Sequence, residues 1–226
     1  MVDIVSKARE LDLPELSDAI SLYEREARFC QGNPADSHLT VIYKLREAHP
    51  VECNYLEIGS LFGFSMVNAT RSKTPGKFVG IDLFETSGQI AMNNYSPDVE
   101  LRGLSKEKTT RLVETCNIHN HKINFILGNS DSDDIFKKTL EISPEFDLMF
   151  IDGDHSYEGC LRDFKIYSPL LKVGGFLLFD DQDYPEIHQV MNEIKRSCKE
   201  QYEWIEWPEY SKKFSGFFRK IGTRPC

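Results

Sequence analysis

The sequence predicts an α/β protein built on one mostly parallel, seven-stranded sheet with helices on both faces and an antiparallel hairpin at its end. Three observations carry this. Short apolar runs alternate with amphipathic stretches from Tyr55 onward, and the first run opens onto a glycine-containing turn. The alternation then breaks near the end of the chain, where two aromatic-rich runs stand close enough to pair. At 226 residues the chain is sized for one well-buried core rather than two full domains.

Residues 1–50 read as a helical extension and 51–226 as the domain proper. Within the extension, Ile20, Tyr23 and Ala27 recur at helical spacing between Leu16 and Arg28, and Gly32-Asn33-Pro34 ends that helix. Its amphipathic face is a candidate surface for a homo-oligomer. A second helix is predicted from His38 to Ala48, stopped by Pro50. The core strands are predicted at Tyr55–Ile58, Phe78–Asp82, Ile123–Leu127, Leu148–Ile151 and Phe176–Phe179, with helices between them. Tyr167 to Gly175 reads as a helix end, a stop at Pro169 and the glycines, and entry to the fifth strand. A helix from Pro185 to Cys198 leads to the hairpin strands Glu203–Trp207 and Phe214–Ile221. The segment from Glu85 to Arg111 has no readable period and is assigned to shaping an acceptor pocket.

Charge and composition exclude several classes. The formal net charge of -9, with no basic stripe, opposes binding to nucleic acid. No apolar run is long enough for a membrane span, and charges interrupt the first residues where an export signal needs an apolar core. The six cysteines show no CxxC pair or zinc spacing and read as reduced thiols of a cytoplasmic protein. His119 and His121 read as solvated loop residues, and Trp204, Trp207 and Tyr210 chiefly as packing residues of the hairpin.

The turn Glu57-Ile58-Gly59-Ser60-Leu61-Phe62-Gly63-Phe64-Ser65 lies where open α/β sheets bind nucleotides, between a strand and a helix. Gly59 and Gly63 allow backbone to approach a ligand, and the helix-start amides with the Ser65 hydroxyl suit a carboxylate. The next strand ends in Asp82-Leu83, about twenty residues on, where a carboxylate can accept from ribose hydroxyls. After the third strand, Asn129, Ser130 or Asp131 can accept from an adenine amine, or cap the helix that follows. These features suit an adenosine-type ligand without fixing its chemistry.

Two later strands end in acids: Asp152-Gly153-Asp154-His155 and Asp180-Asp181. Adjacent parallel strands lie about 4.8 Å apart, so Asp152, Asp180 and Asp181 converge on one rim. Crowded carboxylates call for a compensating cation or protons, and magnesium prefers oxygen ligands; the alternative is that these acids are solvated caps.

Taken together the motifs resemble the class I methyltransferases, a Rossmann-like fold. The turn resembles that of catechol and caffeoyl-CoA O-methyltransferases, and the later block that of the macrocin and novobiocin sugar O-methyltransferases. The resemblance runs from Tyr55 to Asp181 and includes the hairpin. It implies S-adenosylmethionine as cofactor, a hydroxyl of a small molecule as substrate, and Mg2+ held by Asp152, Asp180 and Asp181. In the sugar enzymes the general base is an aspartate two positions after the first ligand, here Asp154. In the catechol enzymes it is a lysine one position further on, where this chain has His155. Both candidates stand at this point. Asn129 departs from the acid common at its position.

Overall fold

The computed structural model describes residues 3–11, 38–84, 105–211 and 214–223. The expected helix from Leu16 to Arg28 and most of the segment from Glu85 to Arg111 lie outside these residues. The described chain opens with a helix the sequence reading did not anticipate, α1 (Ile4–Glu10), whose N-cap Asp3 accepts from the Ser6 amide. Then come α2 (His38–Ala48), β1 (Tyr55–Ile58), α3 (Phe64–Arg71) and β2 (Phe78–Asp82). They are followed by α4 (Lys106–Cys116), β3 (Ile123–Leu127), α5 (Asp133–Ile142), β4 (Phe146–Ile151) and α6 (Tyr157–Tyr167). A 3-10 turn (Ser168–Leu170) leads to β5 (Leu171–Phe179), α7 (Pro185–Ser197), β6 (Tyr202–Ser211) and β7 (Phe214–Lys220).

The strands form one sheet in the order β3-β2-β1-β4-β5-β7-β6. All pairs from β3 to β5 are parallel, and β7 runs antiparallel to both β5 and β6. The order reverses between β1 and β4, which is where doubly wound sheets open a crevice beyond their carboxyl ends. Alternation along the strands divides the core into two layers. Tyr55, Leu148, Phe150 and Phe176 pack toward Val41, Leu45, Met66 and Leu112 of α2, α3 and α4. Leu56, Ile58, Met149 and Ile151 pack toward Ile135, Phe164, Ile187 and Val190 of α5, α6 and α7.

The fifth strand begins earlier than its apolar run suggested. Gly174, at φ +91, sits within β5, and pairing with β4 shifts register between Phe146 and Leu148. A glycine kink therefore continues the strand where sequence alone reads a stop. At the opposite end from the crevice, the fully buried Arg46 guanidinium donates to the carbonyls of Ala69, Cys53 and Thr74 and covers the Phe78 ring. It ties α2 to the approaches of β1 and β2. His121 lies at this end too, against the Ser72 carbonyl at 2.8 Å and the Phe78 ring.

The expectation of six reduced thiols is corrected: Cys53, Cys116 and Cys160 form no disulfide, whereas Cys198 is disulfide-bonded. Spacing along the sequence does not report which cysteines folding brings together. Among the described residues no helix is long and apolar enough to cross a membrane.

Candidate active site

Parallel pairing continues past the strand ends and gathers the turns. The Gly59 amide donates to the Ile81 carbonyl (2.8 Å), Gly128 to Asp82 (2.9 Å), Asp152 to Ile58 (2.8 Å) and Asp180 to Ile151 (3.1 Å). Gly59 and Gly63 adopt φ of +86 and +79. A Cβ at Gly59 would collide with the Asp152 backbone carbonyl, so this turn lies directly against the end of β4.

Burial organises the turn's polar groups. The carboxylate of Glu57, fully buried, accepts at Oε2 from the Ser65 hydroxyl (2.6 Å) and the Tyr55 hydroxyl (2.9 Å). Burial pushes its pKa up to about 7 against the opposing effect of the Ser65, Ser60 and Tyr55 hydroxyls. Among the described residues neither Glu57 Oε1 nor Ser60 Oγ, both buried, has a hydrogen-bond partner of good geometry, although the nearby Ser60 hydroxyl also favours the Glu57 carboxylate. Ser65 thus spends its proton on Glu57, rather than presenting it to a ligand carboxylate. Asp82 accepts from the Leu61 amide at Oδ2 (2.8 Å) and the Phe84 amide at Oδ1 (2.5 Å), which stitches the turn after β1 to the turn after β2. Burial raises its pKa, and these amides oppose the shift. Leu83, half-buried, follows it.

After β3, Asn129 and Asp131 are exposed and Ser130 is half-buried. Ser132 is the N-cap residue of α5 and its amide donates to the Asn129 carbonyl (3.0 Å), so the helix start uses Asn129 backbone. The Ser130 hydroxyl donates to Asp163 Oδ1 of α6 (2.6 Å), and the Tyr167 hydroxyl donates to the Ser130 carbonyl (2.8 Å).

At the ends of β4 and β5 the structure separates the two base candidates. His155 Nε2 lies 3.3 Å from Asp152 Oδ1, and its Nδ1 lies 3.9 Å from Asp181 Oδ2. The Asp152 hydrogen bond, with the neighbouring acid charges, raises His155 to about 8 against the effect of burial. Burial and the nearby Asp180 charge push Asp152 well above the usual carboxylate range. Asp154 turns away: it accepts from the Ser156 amide at the start of α6 (2.9 Å) and lies 3.9 Å from Arg162. Asp181 has a left-handed backbone, φ +40. Among the described residues no group of three or more His, Cys, Asp or Glu side chains is arranged to hold a metal ion. The three aspartates share a rim and a chemistry, and His155 stands between two of them.

Sequence reasoning passed over Gln182. Buried at the rim, its amide donates to the carbonyls of Phe179 (3.1 Å) and Gly216 (2.7 Å), while its Oε1 accepts from the Ser215 amide (2.8 Å) and hydroxyl (3.0 Å). It fastens the Asp180-Asp181 loop to the hairpin. Tyr55 was passed over too, although its place two residues before Glu57 puts both on one strand face. The hairpin tryptophans pack as expected: Trp207 is fully buried against Phe217, and Trp204 lies under the Lys195 ammonium. The Tyr210 side chain lies outside the described residues.

A family model described as a methyltransferase domain matches residues 56–182, more than half of the chain and the whole stretch from Glu57 to Gln182. An uncharacterised protein of Acanthamoeba polyphaga mimivirus is 29% identical over 146 residues, which cover 64% of this chain and 59% of that protein. The chain thus spans less than two thirds of that relative's length. A putative caffeoyl-CoA O-methyltransferase from Staphylococcus aureus superposes with a TM-score of 0.62 at 18% identity, over 92% of this chain and 93% of that one. An O-methyltransferase from Bacillus cereus, solved in complex with SAH, gives 0.60 at 15% identity, over 97% and 100%. At such identities the structural likeness is one of fold.

Proposed function

The chain belongs to the methyltransferase-domain family, and from that premise we propose that it is an S-adenosylmethionine-dependent O-methyltransferase, using a divalent cation such as Mg2+ to methylate a hydroxyl of a small molecule. The observation that carries the reading is adjacency: the glycine turn rests on the Asp152 carbonyl, and Asp152 in turn holds His155.

The turn fits the cofactor. Glu57 Oε1, buried and without a well-aligned partner among the described residues, suits the ammonium of a methionine moiety, which would also neutralise the carboxylate there. Asp82 has acceptor capacity beyond its two amide bonds for the ribose hydroxyls, and Asn129, Ser130 or Asp131 would accept from the adenine amine. Asp152, Asp180 and Asp181 offer the hard oxygen donors that magnesium takes, and their crowding favours a cation. When bound, the cofactor supplies an electrophilic methyl carbon on sulfur and the ion supplies positive charge that acidifies the hydroxyl.

The chain's own residues do the rest. With cofactor and substrate in place, His155, oriented by Asp152, would accept the proton that the substrate hydroxyl gives up on methyl transfer. Asp154, engaged by the Ser156 amide and facing Arg162, is the less suited base. Placement of the two reactants supplies much of the acceleration.

Turnover on a panel of diols, catechols and sugars, measured with and without excess chelator, tests this. Chelator is expected to abolish turnover while leaving S-adenosylhomocysteine binding intact, and Asp152→Ala to remove the metal response. His155→Ala is expected to lower turnover about 10²–10⁴-fold with cofactor affinity unchanged. One observation favours a metal-independent variant of the same reaction: His155 already stands between Asp152 and Asp181. Full turnover in chelator would select that variant.

A further inference from the structure

The reaction above gives no task to Asp163, an acid only 1% exposed on α6. Its Oδ1 takes the Ser130 hydroxyl proton at 2.6 Å. Its Oδ2 lies beside the turn after β4, where a Cβ on Gly153 would come within 2.9 Å of it. Asp163 therefore sits beneath two of the rim turns, those after β3 and β4. The Tyr167 hydroxyl, one turn further along the same helix, fixes the Ser130 carbonyl at 2.8 Å. Two side chains of one helix thus hold both the backbone and the hydroxyl of Ser130.

The direction of the hydroxyl bond matters. An ionised carboxylate only accepts, so Ser130 must donate to Asp163, and its single proton is then committed inward. What remains on the half-buried outer side of Ser130 Oγ is lone-pair density. A hydroxyl normally rotates to suit a donor or an acceptor; this one is held as an acceptor.

We infer that Asp163 is a specificity-determining positioning residue, which makes Ser130 an obligate acceptor and so selects an amino over a carbonyl group at position 6 of the cofactor's purine. The inference rests on the proposed cofactor site and deepens it. Asp163 does not touch the ligand: it acts through Ser130. Burial leaves Asp163 with a pKa of about 6, so the carboxylate is ionised at pH 8, where the polarity is set.

The test is calorimetric titration of the full chain at pH 8 with S-adenosylhomocysteine and with S-inosylhomocysteine, which carries a carbonyl at position 6. The wild type is expected to prefer the adenosyl ligand by about tenfold or more, the scale of one buried hydrogen bond facing an unpaired partner. Asp163→Asn keeps the shape but can donate as well as accept, which frees the hydroxyl to turn; the preference is expected to shrink at least severalfold, chiefly through tighter inosyl binding. Ser130→Ala, a milder change, is expected to narrow it by weakening adenosyl binding. An unchanged preference in folded Asp163→Asn, or in Ser130→Ala should the first variant not fold, overturns the inference while adenosyl binding still upholds the cofactor site. A wild type that binds neither ligand overturns the cofactor site and the inference with it.

Discussion

Glu57 shows how a single buried residue links stability to pH. Folding raises its pKa from 4.5 to about 7, so the native state holds the proton more tightly than the unfolded chain. Its contribution to stability is present below pH 4.5 and is lost as pH rises through about 7. At about 1.36 kcal/mol per pKa unit the loss is at most about 3–4 kcal/mol. Glu57→Gln is therefore expected to raise the melting temperature of the ligand-free protein by several degrees at pH 8, leave it nearly unchanged at pH 4.5, and weaken S-adenosylhomocysteine binding by about tenfold or more. Differential scanning fluorimetry across pH, with calorimetry, reads both. Glu57, Asp82 and Asp152 were legible as site candidates because strand-end position and residue type suffice to find them. The partners that set their chemistry were not. Which proton Ser65 shares, or that Asp154 faces Arg162 while His155 faces Asp152, depends on side-chain directions that a linear pattern does not contain.

Among elements, the least legible was the loop between β5 and α7. Its two aspartates were found, but the device that holds them was not, since a glutamine after two acids carries no sequence signal of burial. Gln182 satisfies both ends of its amide across the loop and β7, so removing it strands several buried groups at once. Gln182→Ala is expected to destabilise the protein by about 2–4 kcal/mol and to speed hydrogen exchange at the Ser215 amide before it affects the parallel strands. Gln182→Glu is expected to recover only part of this, because a carboxylate can accept from Ser215 but cannot donate to Phe179 and Gly216. Strands β1, β2 and β3 were legible to the residue, being short apolar runs between polar turns. The start of β5 was not, because the glycines that usually end an element here bend one.

For the whole molecule, the alternation of strands and helices made the layered architecture readable, whereas the long-range clasp between its first helix and last hairpin was invisible. Arg9 of α1 donates to the Glu206 carbonyl of β6 (2.7 Å) and lies over the Trp207 ring, and Ala8 joins the same core layer. These contacts cross almost the full length of the sequence, and no local pattern announces them. Arg9→Ala is expected to loosen that clasp, shifting tryptophan emission to longer wavelength and lowering the melting temperature by a few degrees, with S-adenosylhomocysteine affinity little changed.

The Arg46 tie at the foot of the sheet has a consequence for how this molecule breathes. Burial lowers the Arg46 pKa, yet around neutral pH and below the guanidinium keeps its charge and braces three separate segments there. Fluctuations at the far lip can then proceed as partial, reversible openings, each far cheaper than dismantling the two packed layers beneath.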